Sequence, residues 1–395
     1  MQADHRLVCA KTSWQGRAAF ALQNDLIRLV SLTSGGHIAE FRFHKSSGLP
    51  TLNPLWTPPW KTIDHERYNE QRHATRYGAA ATGKLICGIA GHNICLDYFG
   101  VPSAEEAARG LAIHGEAPNS RWRKEESIST RQRSQLSISV RLPVAGLRFN
   151  RQITVRRGES VAYFKETVTN EQSADHFFHW TQHVTLGPPF LNPKDSRIAI
   201  SAARGRTFPH GYEGFELLRS SRDFRWPEAP GTRRKKVDLT RPFSHRGLGF
   251  IATVLMDPRR DRQFIAAINH RHGLVVGYCF SRVDFPWAAI WEENCARSDA
   301  PWSKRCQARG LEFGSTPFPV GRREAFANGP LFGAPHFTVV PARGQKTVRY
   351  LSFLARVPRN FGEVLDVRAA GKEIRIIGSG RTAEVTLAAS GAGKS

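Results

Sequence analysis

The sequence predicts an all-β protein, a large sandwich or barrel with few short helices. Short runs alternating between apolar and polar residues recur along all 395 residues, and 34 glycines and 23 prolines punctuate them. Hydrophobic residues make up 40% and charged residues 23%, an ordinary globular balance. The 3.6-residue period of amphipathic helices is scarce.

In chain order, residues 18–22 and 26–30 are β-type runs flanking the turn signal Gln23-Asn24-Asp25. Gly35-Gly36 leads into a third run, 37–43. Alternation is cleanest at 135–142 (QLSISVRL) and 147–155 (LRFNRQITV). Further strands are expected at 161–168, 250–255, 264–268, 274–280, 347–354 and 373–377. One short helix is expected at 103–109, with Ser103 as N-cap, Glu106 at the capping-box position and Gly110 as the stop. Two long excursions interrupt the pattern, near 45–77 (rich in Pro and Trp) and near 192–246 (polar and Arg-rich); loops of such length often form lids or cleft walls. With no linker and no internal repeat, residues 1–387 read as one domain carrying these two insertions, and 388–395 as a disordered tail.

Composition narrows the function. No run reaches the roughly 18–20 apolar residues of a membrane helix, and the first residues lack an apolar signal core, so a cytoplasmic protein is expected. Six cysteines without a CxxC pair suggest reduced thiols rather than a disulfide framework or zinc site. The net charge of +23 raises nucleic acid as a partner. The basic residues are thinly spread, however, and no nucleic-acid-binding motif accompanies them, which argues against that class.

Three short segments carry the candidate chemistry: 110–122 (GLAIHGEAPNSRW), 179–191 (HWTQHVTLGPPFL) and 310–319 (GLEFGSTPFP). They hold two histidines and a glutamate, groups able to share proton transfer near neutral pH. His114-Gly115 is followed by the aromatic Trp122. Thr181-Gln182-His183 precedes an apolar turn at 187–190, and Leu311-Glu312 runs into Phe318-Pro319. In wording and order these segments resemble the aldose 1-epimerase (galactose mutarotase-like) superfamily, over about residues 14–354.

The resemblance implies a β-supersandwich with a carbohydrate bound over one sheet. It implies an isomerase that interconverts sugar anomers by ring opening, with Glu312 as base, His183 as acid, His114 as a second hydrogen-bonding histidine, and no metal or organic cofactor. The family's Asn-Arg sugar-contacting pair is missing; His92-Asn93 stands nearby with no arginine following. Asn93 and Asp97 are therefore candidate sugar contacts, Trp180 and Trp291 candidate platforms for a pyranose face, and Glu292 and Asn294 candidate hydroxyl partners on one face of a strand. A histidine between Gln182 and Val184 is equally compatible with a structural role. A carbohydrate-binding protein with the same cleft, a hexose-phosphate epimerase and a glycan-processing enzyme stay open as alternatives. Oligomeric state is not legible.

Overall fold

In a computed structural model, described for residues 7–394 except 234, 382 and 383, two large antiparallel sheets face each other. The first has thirteen strands; at its centre His92–Cys95, Thr181–Leu186, Gln307–Gly314, Trp287–Asn294 and Leu248–Met256 lie side by side in that order. The second has eight strands, with Gln345–Arg356, Val161–Asn170, Leu147–Arg156 and Arg133–Leu142 as consecutive neighbours. This is the β-sandwich the alternation predicted.

Burial follows the alternation. Leu136, Ile138, Val140 and Leu142 from one strand, and Leu147, Phe149, Ile153 and Val155 from the next, point into the core between the sheets. The same parity carries Arg151 and Glu166 inward, where both are fully buried and their side chains pair at 2.6 Å. Gln182 Nε2 and the Tyr350 hydroxyl donate to the Glu166 carboxylate at 2.6 and 2.8 Å, so the buried charge is compensated on all sides. The expected helix forms as Ala104–Ala108, with Ser103 and Glu106 making the reciprocal capping box.

The excursions differ from expectation. Residues 45–77 are not a plain loop. They include the helix Glu70–Tyr77, capped by the Asn69 side chain, with Ala80–Ile86 following. Trp56, Trp60, Tyr77 and Leu85 pack with Trp302 over the outer face of the thirteen-stranded sheet. Residues 192–246 supply Ser196–Ile200 to the smaller sheet and Ala202–Thr207, Asp223–Arg225, Glu228–Ala229 and Val237–Asp238 to the edge of the larger. Exposed arginines and very short strands hid that pattern.

Toward the C-terminus the strand expected at 373–377 forms as Glu373–Gly378. Val364–Ala370, Glu373–Gly378 and Glu384–Ala388 form a three-stranded sheet with its own buried cluster on the smaller sheet. Ala389 and Ala392 are fully buried beyond it. Small residues permit this, since a Cβ at Gly391 would sit 2.7 Å from the Tyr163 ring. Ser395 lies outside the described residues.

Candidate active site

Strand register brings the site together. On the central strands, His183 is the direct partner of Glu312 on one side and of Asn93 on the other. Glu312 is in turn paired with Ala289. Cross-strand partners share a face, so Asn93, His183, Glu312 and Ala289 form one row on the outer face. Their sequence neighbours Gln182, Val184, Leu311 and Phe313 turn toward the core. His183 Nε2 lies 3.3 Å from Glu312 Oε1, and His183 Nδ1 lies 3.2 Å from the Thr185 hydroxyl.

Two glycines explain the wording of the motifs. The Glu312 carboxylate folds back over Gly310, where an added Cβ would fall 2.1 Å from Oε1. Gly115 has φ +83° and packs on the backbone of Leu96, where a Cβ would approach the carbonyl oxygen to 2.4 Å. His114 itself is left-handed at φ +66°, a conformation uncommon for a non-glycine residue. The Gly100 N–H donates to its Nδ1 at 3.2 Å, which leaves the proton of the neutral ring on Nε2. Its ring stacks on Phe99 and lies 5.2 Å from that of His183.

The three residues singled out for acid–base chemistry therefore converge, but not across an open cleft. Glu312 is 3% exposed and His183 5%. The pair touches directly, with no sugar-sized gap, and Phe99 packs with Cys95 and Ala289 on the same face. Burial pushes the Glu312 carboxyl well above its ordinary range. Burial also brings His183 down to about 4. His114 is pushed well below its ordinary value by burial and then by the neighbouring His183. Desolvation disfavours whichever form is charged, so a dry pair holds its proton on the carboxyl beside a neutral imidazole.

Asn93 belongs to this row, and both polar atoms of its amide are buried without a partner. Trp291 also belongs: its ring lies 6.2 Å from that of His183 and its Nε1–H donates to the Tyr212 hydroxyl at 2.8 Å. Tyr212 and Trp302 complete this wall, and the Arg297 guanidinium covers both at 4.7 and 4.9 Å. Neither was singled out from sequence, because each comes from a segment with no periodic pattern.

Four other candidates do not join the row. Trp180 and Glu292 have the opposite strand parity. Trp180 lies in the core, donating to Glu166 at 3.2 Å. Glu292 accepts from Arg309 Nε at 3.0 Å and from the Phe243 N–H at 2.9 Å. Asn294 shares the Glu292 face and accepts from Gln307 at 2.9 Å. Because Trp291 faces outward, Glu292 cannot. Asp97 is buried and bonded to His176 at 3.1 Å and Arg322 at 2.7 Å. Burial alone would raise its carboxyl, but these partners outweigh that and hold it below its usual value.

Among the described residues no group of three or more His, Cys, Asp or Glu side chains is gathered to hold a metal. All six cysteines are free thiols. No helix of the described residues is long and apolar enough to cross a membrane.

No protein-family model matches this sequence, and no curated protein matches it. Solved structures do. A candidate aldose 1-epimerase from Klebsiella pneumoniae superposes with a TM-score of 0.63 at 12% identity, over 89% of this chain and 84% of that one. A galactose mutarotase-like protein from Clostridium acetobutylicum gives 0.60 at 12% identity, over 89% and 99%. A galactose mutarotase-like protein from Lactobacillus casei gives 0.52 at 14% identity, over 85% and 100%. Likeness at this identity speaks for architecture, and the architecture of this chain is the galactose mutarotase-like β-sandwich.

Proposed function

We propose that this protein is an aldose 1-epimerase-like isomerase that interconverts the anomers of a sugar through acid–base ring opening. The observation that supports it is the contact of His183 with Glu312 on one sheet face, with His114 beside them. Ring opening removes a proton from the anomeric hydroxyl and delivers one to the ring oxygen, so the pair needs one proton between its two members. Sugar entry separates the pair, displaces the Phe99–His114 stack and brings hydroxyl groups to the carboxylate. Hydrogen bonds to the charged form lower its pKa, and the proton passes to His183. Glu312 then acts as base and His183 as acid, while the Nε2–H of His114 orients the substrate. Closure from the other face of the carbonyl reverses the two roles.

Polarimetry on freshly dissolved anomers of a sugar panel tests this reading. Glu312→Gln should retain binding, since the amide keeps the shape, and lose about 10²–10⁴-fold in turnover, the usual share of a positioned acid or base. Unchanged turnover in that variant would remove Glu312 from the mechanism.

The burial of the pair favours a second reading, a carbohydrate-binding protein without turnover on the same fold. Saturable sugar binding with no mutarotation above the buffer rate would select it.

A further inference from the structure

At the end of the thirteen-stranded sheet beyond Trp287, a cavity of about 480 Å³ opens between the loop after Ser281 and the segment around Phe332. Its volume falls within the range of sites that enclose a small organic molecule. Neither His114, His183 nor Glu312 lines it. Leu255, Val283, Pro286 and Phe332 provide apolar walls, and Arg204 and Arg282 are its charged residues, with no acidic side chain among those lining it. The Arg204 guanidinium lies 4.1 Å over the Phe332 ring, a stacking that fixes its plane. With two guanidinium groups and no carboxylate among its lining residues, the cavity is electropositive.

We propose that this cavity is a second ligand site, independent of the epimerase reading, that binds a small organic carboxylate with an apolar body. The planar carboxylate matches the fork of an arginine, and Arg204 and Arg282 are two guanidinium groups lining the cavity with no acidic side chain there to pair them. The apolar body covers Leu255, Val283 and the ring of Phe332. Trp287 adjoins the site, its ring 6.3 Å from Phe332 and its Nε1–H bonded to the Pro335 carbonyl, so occupancy should register in its fluorescence.

The test titrates the full-length protein with 3-phenylpropionate and with its neutral isostere 3-phenylpropanamide, by calorimetry and tryptophan fluorescence. The proposal expects saturable one-to-one binding of the carboxylate and at least tenfold weaker binding of the amide, as for a lost charge-assisted hydrogen bond. Arg282→Gln should weaken the carboxylate by a similar factor, whereas Glu312→Gln should bind it as the native protein does. Equal binding of acid and amide would overturn the proposal, as would loss of binding in Glu312→Gln. Absence of saturation up to about 10 mM, an affinity too weak to mark a built site, would also overturn it. The acid–amide comparison uses the native chain, so the result stands even if Arg282→Gln fails to fold.

Discussion

Glu312 and His183 respond to burial in opposite directions, and each direction has a pH signature. Folding holds the Glu312 proton above the ordinary carboxyl value of 4.5. The stability associated with that raised value is present at low pH and is lost as pH rises toward the folded value. His183 is lowered from 6.5 to about 4, so its contribution is present above 6.5 and is lost as pH falls through that window. Glu312→Gln should therefore gain thermal stability over the native protein progressively as pH rises above the ordinary carboxyl value. A melting-temperature difference that stays constant over that rise would show that the carboxyl is not held protonated. Gly310 tests placement instead of charge. A methyl at this position would meet the Glu312 carboxylate, so Gly310→Ala should displace it. Turnover in the same polarimetric assay should fall by about 10²-fold, as for a misplaced reacting group.

At the scale of elements, the outer face of the larger sheet depends on the 45–77 excursion. Trp60 is buried between Trp56 and Trp302, at ring distances of 5.5 and 5.1 Å. Trp60→Ala should cost about 3–5 kcal/mol in urea unfolding, the usual range for removing a large aromatic from a packed cluster. Behind the site, the strand bearing His183 is held through Gln182, whose amide joins the Arg151–Glu166 pair. Arg151→Met leaves the Glu166 carboxylate buried without its cation and should destabilise by about 3–5 kcal/mol. Adding Glu166→Gln should recover part of that loss, because the amide removes the unpaired charge. No recovery would mean that packing, rather than charge, dominates the single variant.

For the whole molecule, 57 Lys and Arg residues against 34 Asp and Glu leave a net charge of +23. Ion pairs such as Arg297 with Glu213 and Arg206 with Asp223 neutralise some of it locally, but the excess repels itself in the folded state. Salt screens such repulsion over about 8–10 Å near physiological strength. Raising sodium chloride should therefore raise the melting temperature, and a fall would indicate that attractive pairs outweigh the excess.

The sequence by itself determined the sandwich and the strands facing its core. Alternation in runs such as QLSISVRL records directly which side of a sheet is dry, and Ser103 with Glu106 records a helix start. His114, His183 and Glu312 were legible as candidates because the wording and order of their three segments resemble the galactose mutarotase-like superfamily. Only the tertiary structure decided which candidates meet. Register paired His183 with Glu312 and Asn93, and strand parity sent Trp180, Glu292 and Asn294 to the core face. Neither property is local, since a one-residue slip inverts every side chain of a strand. Tyr212, Trp302 and the packed tail were invisible for the same reason: their positions are set by what they pack against, far away in the chain.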